Sequence, residues 1–264
     1  MDAGTPEVVL VQHPDHRDAI GAECHEFADE LAGVAQMVAT GLRHGRRIPG
    51  FEIGREVRAG ALPRVAPEVA AGRVIVAHLG SGASLCALKN GKSVDCTFGF
   101  TALDGLCMGT RPGALDPGVV LHLFQALDLS AKEVETMLYK KCGLLGISGI
   151  SNDMRDLVES KEAEAKLAVD YFVYRVTKEI GALTAAMGGI DALVFTAGIG
   201  EKSAEIRRRI CESASWLGIA LDEGANERHE SRITHPKAAV SAWVIPTNEE
   251  LMIARHTWDL LGLA

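Results

Sequence analysis

The chain has 264 residues, 47% apolar and 23% charged, the balance of an ordinary globular protein with ample material for a core. Its 27 basic and 35 acidic residues leave a formal charge of −8, which argues against nucleic acid as a partner. No apolar run approaches the ~20 residues of a membrane span, and "MDAGTPEVVLVQHPDHRDAIG" has neither the basic nor the apolar region of a secretory signal. The expectation is a cytoplasmic protein without a membrane partner.

In chain order, residues 17–42 can form one amphipathic helix, weakened by Gly21 and Gly33, and "RRIPGFEIGREVRAGALPR" reads as loop. The pattern sharpens from residue 72. "RVIVAHL" is a β-branched run expected as a buried strand, and "SLCALKNGKSVDCT" alternates around Asn90-Gly91, the strongest short hairpin signature. "DPGVVLHLFQAL" opens with Asp116 as N-cap and Pro117 at the first helical position. "SAKEVETMLYKKCG" offers a capping box between Ser130 and Glu133 and closes on Gly143. Residues 160–188 predict a long helix: Ala165, Val169, Phe172, Val176, Ile180, Leu183 and Met187 recur at steps of three or four and stack on one core-facing side. After Gly188-Gly189 comes the strand "DALVFT". "AGIGEKSAEIRRRICESASWLG" then turns through glycines into a helix, "AVSAWVIP" is a further strand, and "TNEELMIARHTWDLLG" is a final helix capped by Thr247 or Asn248. Strand–loop–helix units with one hairpin give an α/β fold. The expected division is a divergent, helical or poorly ordered segment over 1–70 followed by one domain over 71–264.

The six cysteines form no CxxC pair and read as reduced, partly buried thiols; the nine histidines show no HExxH or HxH spacing, so zinc is not expected. "NGKS" resembles the end of a P-loop, but Cys86 stands where the first glycine belongs, and neither "GSGASL" nor "GIGEKS" completes GxGxxG. What remains is a pair of glycine loops after apolar strands, Gly80-Ser81-Gly82 and Gly198-Ile199-Gly200. Glycine lets backbone N–H groups approach an anion closely, so together the two suggest a nucleotide clamp. Arg111 lies between them in "MGTRPG". It can pair with a surface carboxylate, the usual fate of arginine, or present its planar fork to a phosphate. Asp153 of "SNDMRDL" can cap the helix that follows. Asn248, Glu249 and Glu250 stand at a strand-to-helix turn, where acidic residues either stabilise the helix or hold Mg²⁺ through water.

"AHLGSGASLCALKNGKSVD", "GFTALDGLCMGTRPGALDPG", "SGISNDMRDL", "VFTAGIGEKSAEIRRRI" and "VIPTNEELMIA" resemble the acetate kinase family, in order and with similar spacing, from about residue 70 to the C-terminus. The resemblance implies a ribonuclease-H-like, actin-like ATPase domain, a mixed sheet flanked by helices. It also implies Mg²⁺-dependent transfer of a phosphoryl group between ATP and acetate or another short-chain carboxylate, giving ADP and an acyl phosphate, in a homodimer. By that resemblance His78, Leu79, Gly80, Ser81 and Gly82 form the loop along the ATP phosphates, with Ser81 in place of the usual Asn. Asp153, Met154 and Arg155 flank the adenosine. Ala197, Gly198, Ile199, Gly200 and Glu201 match the G-G-I-G-E loop, with Ala197 replacing a glycine. Arg111 matches the transition-state arginine, and Glu249 the magnesium-linked glutamate.

The family's N-terminal domain is expected to be largely missing. Neither its N-x-G-S-S-S-K loop, nor its GHRxVHGG arginine, nor its FDTAFH aspartate occurs in residues 1–70, and a gapless match to its RRYGFHG segment puts Phe51 at the histidine position. Activity is therefore expected to be impaired, since losing one charge-stabilising group often costs ~10²–10³-fold in rate. Two rival readings are a non-catalytic nucleotide-binding remnant and a truncated gene product.

Overall fold

The computed structural model describes residues 62–247 together with Trp258 and Leu261, all within the unit Ile48–Ala264. The helix expected over 17–42, the loop after it, most of the final helix, and Asn248, Glu249 and Glu250 lie outside the described residues.

A short helix, α1 (Leu62–Val65), leads into β1 (Arg73–Leu79), β2 (Ala83–Lys89) and β3 (Lys92–Cys96). The helices α2 (Pro117–Gln125), α3 (Ala131–Lys140), α4 (Gly143–Ser148), α5 (Met154–Glu159) and α6 (Ala163–Met187) follow. Then come β4 (Ala192–Thr196), α7 (Ala197–Lys202), α8 (Ala204–Ser213), α9 (Glu223–Glu227) and β5 (Ser241–Val244). One sheet runs in the order β3-β2-β1-β4-β5. β2 is antiparallel to β1 and β3, whereas β1, β4 and β5 are parallel. This is the mixed α/β sheet expected, with helices flanking it.

β1 and β4 are apolar at almost every position because the sheet is buried on both faces. Ile75, Ala77, Leu79, Leu193 and Phe195 meet α6 in the larger cluster. Val74, Val76, Ala192 and Val194 point the other way and are met by Leu62 and Ala66. The predicted stripe of α6 is buried throughout, and Phe172, 1% exposed, contributes roughly 2–3 kcal/mol by leaving water. Register then decides where the loops fall. β1 and β4 pair in parallel with His78 opposite Thr196, so the loops leaving both strands emerge side by side.

Local signatures hold where capping chemistry decides. The Asp116 carboxylate accepts from Gly118 N–H, and both hydrogen bonds of the Ser130–Glu133 capping box form. Asn90 and Gly91 adopt φ of 52° and 66°, which turns the β2–β3 hairpin. Two expectations change. Gly143 does not close α3, whose C-cap is Lys141; it starts α4 with φ +65°, and a Cβ there would stand 2.1 Å from the Met108 carbonyl oxygen. The chain also does not pass through a glycine turn after β4. α7 begins at once, with Ala197 at its first position, and Ser203 separates it from α8.

Arg207 of α8 is fully buried, and among the described residues no carboxylate forms an ion pair with it. Its Nε donates to Asn226 Oδ1 at 2.8 Å, its Nη1 to the Gly200 and Glu201 carbonyls at 3.0 and 2.8 Å, and its Nη2 to the Asn226 carbonyl at 2.8 Å. Burial pulls the guanidinium below its ordinary value, yet it satisfies the last carbonyls of α7, which a six-residue helix leaves open. Arg207→Leu strands those acceptors, and we expect a loss of about 3 kcal/mol in urea unfolding. A midpoint within experimental error of the parent would rule out that role.

Candidate functional site

Gly80-Ser81-Gly82 links β1 to β2 directly after the Leu79–Ala83 pair, and the Gly80 N–H donates to the Gly82 carbonyl at 2.9 Å. Gly82 lets Arg111 come close: a Cβ there would lie 2.8 Å from Arg111 Nη2 and push the guanidinium aside. At Gly80 a Cβ would meet the Gly82 carbonyl and Ala197 Cβ at 3.4 and 3.5 Å. Neither glycine is in the left-handed region, so what the two provide is a bare backbone beside Arg111 and Ala197.

The loop bearing Arg111 is fixed by backbone contacts. Gly105 and Gly113 adopt φ of 90° and 75°, and a Cβ on Gly113 would stand 2.5 Å from the Gly105 carbonyl oxygen. The first N–H groups of α4 grip the loop: Leu144 N–H donates to the Met108 carbonyl at 2.9 Å and Leu145 N–H to that of Gly109 at 3.0 Å. Gly109 N–H in turn donates to the Ser81 carbonyl at 3.0 Å, tying the arginine loop to the first glycine loop. Arg111 Nη1 donates to the Ala102 carbonyl at 2.7 Å, and among the described residues no carboxylate forms an ion pair with it. Burial lowers its pKa from the ordinary value, with Tyr139 opposing. A half-buried guanidinium with donors to spare is suited to an anion brought in from outside.

The second glycine loop is strained. Ala197 is in the left-handed region at φ +64°, which costs an ordinary residue of order 1–3 kcal/mol. Its N–H donates to Glu201 Oε1 at 2.8 Å, and the same oxygen accepts from the Thr247 N–H and Oγ1, both at 2.9 Å. One carboxylate oxygen thus fastens the α7 turn to the segment that follows β5. Gly198 opens onto empty space, with no atom within 4 Å of a Cβ built there.

The segments at Gly80–Gly82 and Ala197–Ile199 border two adjoining basins, and the Arg111 loop lines neither. One, of about 370 Å³, is lined by His78, Gly80–Ser84, Phe98, Ala197, Gly198 and Thr247. The other, of about 460 Å³, is lined by Asn152–Arg155, Val158, Glu159, Ile199, Lys202 and Ser203, and shares Gly80, Ser81 and Gly198 with the first. Asp153 is the N-cap of α5, accepting from Arg155 N–H at 2.9 Å. Its carboxylate also takes the Arg155 side chain, with Nη2 at 2.5 Å from Oδ2. The Arg155 hydrogen bonds hold the Asp153 pKa down to about 2. That support is present at neutral pH and lost only as pH falls toward 2.

Of the residues singled out in the sequence, His78, Gly80, Ser81, Gly82, Ala197 and Gly198 line the first basin, and Asp153, Met154, Arg155 and Ile199 the second. Leu79 and Gly200 are buried beneath the loops, and Glu201 holds Thr247 instead of facing a basin. Glu249 lies outside the described residues. Asn152, Lys202, Ser203 and Thr247 also line the basins; all four lie inside the quoted motifs, and of them only Thr247 has a sequence reading, as a helix cap. Phe98 had no sequence signature; the turn after β3 brings it to the wall.

The model of the Acetokinase family matches residues 62–255. The acetate kinase of Nitrobacter hamburgensis is 57% identical over 218 residues, covering 82% of this chain and 54% of that protein. That of Rhodopseudomonas palustris (strain TIE-1) is 53% identical over 240 residues, covering 89% and 60%. The chain therefore spans little more than half the length of these curated relatives. Among solved structures, Porphyromonas gingivalis acetate kinase aligns with a TM-score of 0.73 at 40% identity over 78% of this chain and 53% of that one. A propionate kinase from Francisella tularensis gives 0.68 at 42% identity over 72% and 50%.

Because Ala197 sits where glycine is unstrained, Ala197→Gly is expected to raise stability by about 1 kcal/mol despite the added unfolded-state entropy. Paired chemical denaturation checks this; a destabilised variant would show that the strain at Ala197 is not stored in the fold.

Proposed function

The chain belongs to the Acetokinase family, and on that footing we propose that it binds ATP across the two basins and serves transfer of the γ-phosphoryl group to acetate or a similar short-chain carboxylate, yielding ADP and acyl phosphate. The observation that carries this is that the glycine segments after β1 and β4 line the same two basins, with Arg111 set beside Gly82 at the first of them. The polyphosphate runs along His78–Gly82, whose backbone leaves room for it, and past Gly198, where no side chain intervenes. The nucleoside occupies the second basin between Met154–Arg155 and Ile199. Arg111, beside Gly82, faces the transferring group and stabilises the charge that spreads over its oxygens. Glu201 acts by positioning, through Ala197 and Thr247.

Mg²⁺ belongs to the same proposal. Among the described residues no cluster of three or more His, Cys, Asp or Glu could cage an ion, and an ion carried in by ATP would need none; by the family resemblance Glu249 would help to hold it, through water. When bound it neutralises phosphate charge. We assign the nucleotide domain to 71–264 together with the stretch Leu62–Ala66 that packs against its sheet, and the cytoplasm as location. Among the described residues no helix is long and apolar enough to cross a membrane. A homodimer is supported by α2 and the residue pair after it, where Val119, Leu121, Phe124 and Leu127 are 39–54% exposed.

A second reading is a chain that binds nucleotide without turnover. It rests on the basins alone, whose lining includes both glycine segments but not Arg111. Calorimetry with ATP, run beside a hydroxamate assay for acyl phosphate, separates the two. Binding with turnover supports the first, binding without turnover the second, and no binding overturns both. Where turnover is found, Arg111→Ala is expected to lower kcat by ~10²–10³-fold with the ATP Kd nearly unchanged. A weakened Kd with intact kcat would instead make Arg111 a binding group.

A further inference from the structure

Cys86 of β2 and Cys96 at the end of β3 are direct cross-strand partners. The adjoining pair, Leu85 and Thr97, is the hydrogen-bonded one, with Thr97 N–H donating to the Leu85 carbonyl at 3.0 Å. Cys86 and Cys96 therefore hold the non-hydrogen-bonded position, where Cα atoms stand about 4.5 Å apart and side chains are closest. That separation lies within the ~4.4–6.8 Å a disulfide spans. Both side chains fall on one face of the sheet: Cys86 belongs to the smaller apolar cluster and Cys96 packs against it. β3 is the edge strand, and a register irregularity between Ala87 and Leu88 lets it give. Cys96 is half-buried and within reach of a small reagent, whereas Cys86 is 2% exposed.

The pair is also coupled to the cleft. Cys96 Sγ donates to the Phe98 carbonyl at 3.4 Å, and Phe98 lines the phosphate-side basin. We propose that Cys86 and Cys96 form a thiol–disulfide site, oxidised by exchange with a small disulfide such as oxidised glutathione, and that its oxidation weakens nucleotide binding by releasing Phe98. The coupling rests on the nucleotide reading above; the disulfide does not.

In the first step the Cys96 thiolate attacks one sulfur of the small disulfide, whose S–S bond breaks. A mixed disulfide forms on Cys96, and one small thiolate leaves and takes up a proton. Cys86 then gives its proton to solvent and attacks Cys96 Sγ, expelling the second small thiol. Two protein thiols are oxidised by two electrons, and one disulfide is reduced to two thiols. Burial raises the Cys96 pKa, so exchange is slow at neutral pH and quickens as pH rises.

The test incubates the full chain with oxidised and reduced glutathione at fixed ratios, blocks remaining thiols, and maps peptides by mass. A Cys86–Cys96 linkage two hydrogens lighter than the dithiol is expected, reversed by dithiothreitol and abolished in Cys96→Ser. The proposal fails if Cys96 stops at a glutathione adduct with Cys86 still alkylated, or if Cys107 and Cys142 link instead. ATP calorimetry on the linked chain is expected to show a several-fold weaker Kd. An unchanged Kd overturns the coupling to Phe98. If the reduced chain binds no ATP, the nucleotide reading falls while the peptide map still decides the disulfide.

Discussion

The hydrogen bond from Gly109 N–H to the Ser81 carbonyl, 3.0 Å long, is where the site is assembled. On one side it holds the turn between β1 and β2. On the other it holds the Arg111 loop, which α4 grips from behind through Leu144 and Leu145. Three parts of the chain far apart in sequence are thus fixed by main-chain groups, whose positions depend little on side-chain rotamers. Preorganisation of this kind suits a reaction in which placement and charge neutralisation do most of the work. It also explains the glycines. Gly82 makes room for a guanidinium, Gly143 lets α4 dock on Met108, and Gly113 lets the loop close on Gly105.

The second half of the site is held differently. Where the first glycine loop rests on backbone pairing, the α7 turn carries a left-handed alanine and must be restrained. Glu201 draws Ala197 and Thr247 onto one oxygen, while Arg207 takes up the carbonyls of Gly200 and Glu201 from below. A buried arginine without an ion pair among the described residues is an expensive device. Here its donors meet acceptors that would otherwise be stranded at the end of a short helix, so desolvation is offset by hydrogen bonds no apolar residue could supply.

Local chemistry was legible in the sequence and long-range chemistry was not. The caps at Asp116, Ser130 and Asp153 and the turn at Asn90-Gly91 could be read because their partners lie within a few residues. The stripe on α6 could be read because helical periodicity is itself local. Gly143 misled because a glycine at positive φ after a helix has the same appearance whether it ends one helix or starts another. The strain at Ala197 had one sign, the glycine it replaces in the G-G-I-G-E pattern, since alanine itself does not announce a left-handed conformation. The insertion of β4 beside β1, which makes neighbours of the two glycine loops, is set by the packing of whole layers, with no marker in either strand. The motifs could be recognised by their company, but the Arg111–Gly82 approach, the Glu201 node and Phe98 in the wall needed three dimensions.

The two basins differ in a way that bears on division of labour. The first is walled mainly by glycine, serine and alanine backbone, the second by Met154, Val158 and Ile199 with charged residues at the rim. A backbone-walled trough selects for negative charge and is indifferent to what carries it, whereas an apolar slot selects for a flat or apolar group. Gly80, Ser81 and Gly198 line both basins, so a ligand filling both has its link pass Gly198. Any side chain at Gly198 would project into the space through which that link passes. Its glycine therefore serves to leave the passage open, a role distinct from the conformational freedom that Gly105, Gly113 and Gly143 provide.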